Sequence, residues 1–87
     1  MKIKNGFIKR TVNNVQVAVA VGEAANKFNG MITLNGSAAF LWDLLTEDKT
    51  TEELVDAMLE KYSIDKETAT RDVLAFVEKA KSAGIIE

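Results

Sequence analysis

The 87-residue chain predicts an α+β fold, a three-stranded antiparallel sheet followed by three helices in a winged helix-turn-helix-like order. Valine alternates with Gln or Ala over residues 15–21, which is typical of a half-buried strand. Residues 28–34 carry no charge and include apolar, aromatic and β-branched side chains. Helix-capping residues then open three amphipathic segments at Asn35, Thr50 and Asp65. A chain of this length has room for one domain, which we place at residues 1–87.

The first two strands are predicted at residues 7–12 and 15–21, joined by a two-residue turn. Asn13 and Asn14 suit that turn because Asn tolerates the left-handed backbone. A third strand at residues 28–34 completes a meander. Since the valines of the second strand form a uniformly β-branched face, we expect that face to lie on the core: Val15, Val17, Val19 and Val21.

The three helices are predicted at residues 36–46, 51–62 and 66–83. Thr50 and Glu53 have the spacing of a capping box, and Gly84 can end the last helix. Each helix has an apolar stripe that we expect on the core: Ala38, Leu41, Trp42 and Leu45; Leu54, Val55, Met58, Leu59 and Tyr62; and Ala69, Val73, Phe76, Val77, Ala80 and Ala83.

The two outer strands of the predicted meander differ in charge. The first carries Lys9 and Arg10 at its centre, whereas the third carries none. An uncharged edge is a template for another extended chain, and a strand glycine such as Gly30 often marks a close backbone approach. The third strand is therefore predicted to bind a peptide, unless a helix or a second copy of the protein covers it.

Leu74 lies outside the apolar stripe of the third helix, between Thr70 and Lys81 on the helix surface. It is either part of a groove beside the core or an ordinary exposed leucine.

Composition argues against catalysis. The chain has no Cys and no His, so thiolate and imidazole chemistry are absent, and it contains no phosphate-binding glycine motif. We expect no catalytic residue, no metal and no cofactor. No segment approaches the ~18 consecutive apolar residues of a membrane span, and no signal peptide is evident. We therefore expect a cytoplasmic protein.

A winged-helix transcriptional regulator is an alternative function for this order of elements. Its charges argue against it, because residues 65–81 hold four basic and four acidic side chains and the net charge of the chain is −2. A helix that binds a duplex normally needs a positive face. A dimerisation module that pairs through its own free edge is a second alternative.

The helical half of the sequence resembles the PqqD family from about residue 28 to residue 87. The similarity is carried by Leu34-Asn35, Ala38-Ala39, Trp42, Leu45, Glu53-Leu54-Val55, Asp72-Val73, Phe76 and Gly84-Ile85-Ile86. Members of that family are non-catalytic domains that bind the leaders of ribosomally made, post-translationally modified peptides.

The resemblance implies a precursor leader peptide and a modifying enzyme of the radical S-adenosylmethionine class as partners, and it implies no cofactor. The balance of charge argues against nucleic acid as a partner, and the lack of a long apolar run argues against a membrane. It implies that the leader adds a strand to the third strand and reaches a groove with the third helix. The peptide-binding residues so predicted are Asn29, Gly30, Met31, Ile32, Thr33, Leu34, Thr70, Arg71, Leu74 and Lys81. A homodimer is compatible with the same edge.

Overall fold

The computed structural model describes residues 1–26 and 31–86, and it confirms the α+β order of a three-stranded antiparallel sheet followed by three helices. The elements are β1 (Phe7–Val12), β2 (Val15–Ala20), a 3₁₀ helix at Gly22–Asn26, β3 (Met31–Leu34), α1 (Gly36–Leu44), α2 (Thr51–Lys61) and α3 (Lys66–Ser82). The predicted start of the third strand, residues 28–30, lies outside the described residues.

A tight hairpin sets the register of the sheet. Asn13 and Asn14 both have positive φ, at 50° and 66°, as a two-residue turn of the primed type requires. Val12 and Val15 are therefore opposite one another, and the sheet order is β1-β2-β3 with both pairs antiparallel. β2 is central, and β3 is an edge strand of the described sheet.

The face of β2 that lies on the core is the alanine face, so the valine prediction is wrong. Ala18 is 0% exposed and belongs to the main core cluster, whereas Val17 is buried outside that cluster. The register explains the difference, because Ala18 lies opposite Ile32, which packs against the core. The apolar side chains of the neighbouring strands share the alanine face, and small side chains in β2 leave them room.

Capping holds each helix start as predicted. The side chain of Asn35 accepts a hydrogen bond from the Ala38 amide at 2.8 Å. Thr50 and Glu53 form a complete capping box, with bonds of 3.1 and 3.0 Å. Asp65 accepts from the Thr68 amide at 2.7 Å. These bonds satisfy amides that would otherwise have no partner in the first turn.

α3 packs principally against α2, and the core lies between these helices, α1 and the sheet. The buried side chains are mainly those of the predicted stripes: Leu41, Trp42, Leu45, Leu54, Val55, Met58, Ala69, Val73, Val77 and Ala80. Phe76 and Ala83 are half-buried at the border of the α3 stripe. No helix in the described part of the chain is long and apolar enough to cross a membrane.

The N-terminal segment is fastened to the last residues of the described chain. The Ile3 amide donates to the Leu45 carbonyl at 2.9 Å, and the Lys4 amide donates to the Ile85 carbonyl at 2.8 Å. Ile3 and Ile86 form an antiparallel bridge, and both are buried. The two ends of the described chain are therefore adjacent.

Replacing the α2 cap tests the capping interpretation. We expect Thr50→Ala to lower the free energy of unfolding by about 1 kcal/mol, because the Glu53 amide loses its acceptor. Thr51→Ala, one residue later, is the matched control and should change it by less than about 0.5 kcal/mol. Urea denaturation measures both variants, and equal losses would contradict the assignment of the cap.

Acid should weaken the helix caps. A hydrogen bond from the Thr50 backbone lowers the pKa of Glu53, and hydrogen bonds from Thr68 lower the pKa of Asp65. The folded chain therefore holds these protons less tightly than the unfolded chain. The stability that these groups confer is complete above their ordinary pKa values of about 4 and is lost as the pH falls through the lower, folded values.

Glu53→Gln tests the charge of Glu53 separately from its hydrogen bond to the Thr50 amide. The amide oxygen can still accept from Thr50, as Gln does in capping boxes, but the side chain does not titrate. We expect the stability of this variant to depend less steeply on pH below about 4, as measured by thermal melts between pH 7 and pH 2. A curve parallel to that of the wild type would show that Glu53 contributes no acid sensitivity.

Candidate functional site

The free edge of β3 presents the backbone of two residues outward. A two-residue turn makes Val12 and Val15 a hydrogen-bonded pair, and bonded and non-bonded pairs then alternate along the sheet. The bond from the Val21 amide to the Gly6 carbonyl, at 2.7 Å, fits this alternation. Gln16 and Ala18 therefore bond to β3.

The partners of Gln16 and Ala18 in β3 are Leu34 and Ile32, respectively. These two residues turn their backbone groups toward β2. Met31 and Thr33 lie between them in register, so their amides and carbonyls point to the open edge. No described residue pairs with that edge as a fourth strand.

A cavity of about 280 Å³ lies beside this edge, between β3, α1 and α3. Ile32 and Leu34 direct their side chains to the face of the sheet that bears it, since they share that face with Ala18. Aliphatic and aromatic side chains form most of its wall and floor. The lining residues are Ala18, Ile32, Thr33, Leu34, Asn35, Ser37, Ala38, Leu41, Trp42, Asp72, Ala75, Phe76, Lys79, Ala80 and Ile85.

The polar residues of the cavity lie at three places, and Thr33 on β3 is the first of them. At the start of α1, the Asn35 side chain is engaged by the Ala38 amide and, at 3.1 Å, by the Ser37 hydroxyl. On α3, Asp72 and Lys79 are the ionisable residues that line the cavity. The site is thus an apolar groove with one negative and one positive side chain on its helical wall.

The predicted site residues fall into three groups. Met31, Ile32, Thr33 and Leu34 form the described edge strand, and Met31 is 62% exposed. Asn29 and Gly30 lie outside the described residues. The remaining four are on α3, and none of them lines the cavity beside β3: Thr70, Arg71, Leu74 and Lys81.

Thr70, Arg71 and Leu74 line a second, shallow cavity on α3, and Leu74 is 51% exposed. At 100° per residue, Leu74 lies on the opposite side of the helix from both Asp72 and Phe76. Lys81 lines neither cavity. The structure therefore brings the β3 residues together with a different face of α3 from the one that the sequence indicated.

The α3 residues that do face β3 were not predicted as site residues. Phe76 was assigned to the core, Asp72 was named only as a position of the family resemblance, and Ala75 and Lys79 were not singled out. Phe76 lies at the border of the buried stripe, and that position could have indicated a groove wall. A groove wall begins where an apolar stripe ends. The side of the stripe that meets β3 depends on tertiary packing, which a single helix does not encode.

The open edge and the apolar groove are an arrangement suited to binding. Within the described ranges, no group of three acidic, His or Cys side chains could hold a metal ion. The same ranges contain no buried side-chain nitrogen or oxygen without a hydrogen-bond partner. An open strand edge beside an apolar groove defines a small binding domain of the kind that accepts an extended peptide.

The family of this binding domain is identified by its sequence. The model of the PqqD family, described as coenzyme PQQ synthesis protein D, matches residues 15–86. The chain therefore belongs to the PqqD family. None of the curated proteins compared with the chain matches it significantly.

Two solved structures have the same fold. The structure of TbiB1 in complex with the TbiA(beta) leader peptide is 26% identical, with a TM-score of 0.78, and the match covers 100% of this chain and 95% of that one. A lasso peptide synthetase B1 complexed with the leader peptide is 18% identical, with a TM-score of 0.74 and coverage of 97% and 93%. The second similarity shows the fold alone.

Proposed function

We propose that this protein is a non-catalytic recognition domain that binds the leader segment of a ribosomally made precursor peptide and presents it to a tailoring enzyme. The single observation that carries the proposal is the outward backbone of Met31 and Thr33 beside the apolar groove. Membership of the PqqD family and the leader peptide in the TbiB1 structure support it.

Strand addition explains how the edge and the groove would act together. The peptide backbone bonds to the outward groups of Met31 and Thr33, which gives affinity with little dependence on sequence. Alternate peptide side chains then point to the face of the sheet that bears the groove. The groove, with Ile32 on one wall and Phe76 on the other, chooses among those side chains.

The size of the groove fits side chains better than a cofactor. Pockets for drug-sized ligands are commonly about 300–1,000 Å³. The cavity of about 280 Å³ is at the lower limit of that range. One or two apolar side chains of an added strand would fill it, and their burial would contribute about 1.5–3 kcal/mol each.

The role of the domain is then tethering. Binding the leader on one surface and the enzyme on another raises the local concentration of the core peptide at the enzyme, so a modest affinity for each is enough. A radical S-adenosylmethionine enzyme, acting in the cytoplasm where the precursor is made, is the proposed partner. The open β3 edge favours self-pairing as the second candidate, and the molecular mass in solution distinguishes the two.

Removing one outward donor tests strand addition. We expect Met31→Pro to weaken binding of a leader peptide about 5- to 10-fold, because one net hydrogen bond of about 1 kcal/mol is lost. Calorimetry with synthetic leaders of the short peptides encoded beside this protein measures the change. Wild-type binding near or below ~10 μM, about −7 kcal/mol, is expected.

Met31→Val is the matched control, because it keeps the amide and suits a strand. It should bind as the wild type does. Circular dichroism verifies that the proline variant retains its fold, as proline is tolerated at the first residue of an edge strand. Equal affinity of the two variants would refute pairing at Met31, and a dimeric wild type that becomes monomeric in Met31→Pro would favour self-pairing.

A pair of glutamates tests which side of α3 the peptide contacts. Ala38 lines the groove at the third position of α1, where Glu favours the helix start, so Ala38→Glu should fold and yet place a charge in the groove. We expect it to weaken leader binding at least about ten-fold, the effect of about 1.4 kcal/mol. Leu74→Glu should leave affinity within about two-fold. The reverse result would place the peptide along the Thr70, Arg71 and Leu74 surface instead.

A further inference from the structure

The helical wall of the groove has a fixed order of charge. Asp72, Phe76 and Lys79 follow one another at spacings of four and three residues, so they form one stripe along α3. All three line the cavity beside β3. Reading along the helix, the wall is therefore negative, aromatic and then positive.

Neither charge of this stripe has an oppositely charged residue one turn away on α3. The residues three and four positions away from Asp72 and Lys79, which are the ones that reach them on a helix surface, are all uncharged: Thr68, Ala69, Ala75, Phe76, Ser82 and Ala83. The ion pairs found among residues 1–26 and 31–86 involve neither side chain. Both charges are available to a ligand in the groove.

The next pair of charges on α3 is different. Arg71 and Glu78 are also seven residues apart and opposite in sign, but each has an opposite charge within one helical turn, Glu67 and Lys81 respectively. They line the second cavity, away from β3. Asp72 and Lys79 thus differ from Arg71 and Glu78 in having no oppositely charged neighbour one turn away on the helix.

We propose that the groove selects leaders in which a cationic and an acidic side chain flank an apolar one in a single order, a specificity that rests on the proposed function. The cation pairs with Asp72, the apolar side chain packs on Phe76, and the acid pairs with Lys79. The stripe thereby sets the direction in which the peptide lies as well as its composition.

The spacing of the peptide pattern follows from the rise per residue of a helix and of an extended strand. Seven helical residues span about 10.5 Å along α3. Residues on one face of an extended strand recur every two positions, so a cation, an apolar residue and an acid at alternate positions span about 13–14 Å. The flexible Lys79 side chain covers the difference of about 3 Å. The leader is expected to contain the pattern cation-x-apolar-x-acid, or its reverse, but not both.

Exchanging the charges tests this proposal without knowledge of the natural leader. A displayed library of randomised twelve-residue peptides is selected against the wild-type chain, against Asp72→Lys/Lys79→Glu, and against Arg71→Glu/Glu78→Lys. The last variant exchanges the same charges at the same spacing on the other flank of α3. Enriched peptides are then synthesised with a fluorescein label, and their affinities are measured by anisotropy, with thermal melts as a check of the fold.

The expected result is that the wild type enriches one charge order, the Asp72 and Lys79 exchange enriches the reverse order, and the control keeps the wild-type order. A wild-type peptide should bind the Asp72 and Lys79 exchange about ten-fold more weakly, since two partly exposed pairs contribute about three-fold each. A peptide with its two charges exchanged should recover that loss. Higher salt should shrink the difference.

Other results would overturn the proposal in distinguishable ways. Peptides that bind Met31→Val but not Met31→Pro, and whose charge order does not respond to the Asp72 and Lys79 exchange, would refute charge selection and leave strand addition standing. A reversal caused by the Arg71 and Glu78 exchange would place the peptide on the other flank. Enrichment of no peptide, or binding that ignores Met31→Pro, would refute both proposals.

Discussion

The packing of α3 against α2 is the constraint on which the groove depends. Ala69, Val73, Val77 and Ala80 are buried on one side of α3, and the helix cannot turn about its axis without exposing them. That fixed rotation brings Asp72, Ala75, Phe76 and Lys79 to face β3. α3 packs principally against α2, and an open space lies between α3 and the strand edge.

The hairpin contributes the second constraint. A turn of two asparagines fixes which residues of β2 bond to β1, and the alternation of an antiparallel sheet carries that choice across to β3. A slip of one residue would turn Ile32 and Leu34 away from the core and would exchange the inward and outward amides. The chemistry of the free edge is thus set about twenty residues earlier in the chain.

Most of the fold was accessible from local signals. Caps at Asn35, Thr50 and Asp65, the two-residue turn and the helical stripes are decided by neighbouring residues, and the structure agrees with them. The side of β2 that meets the core was not accessible in the same way, because valine and alanine faces are both apolar. Leu34 and Ile32 decide it through pairing.

The two walls of the groove, β3 and α3, differ in the same way in how far the sequence predicts them. The lack of charge in β3 is visible in the sequence, so its residues could be predicted as part of an open edge. A groove wall depends on how one helix is rotated against another. Leu74 was predicted as a site residue because it is an apolar residue on a polar flank. Phe76 was assigned to the core, and its place in the groove wall depends on neighbours that only the structure shows.

The bridge between Ile3 and Ile86 has a consequence for how this domain can be connected. Ends that leave the fold side by side allow the domain to be inserted into a loop of a larger protein, or to be circularly permuted with a short linker, at little conformational cost. The domain can therefore be attached at one place while the edge of β3 stays open.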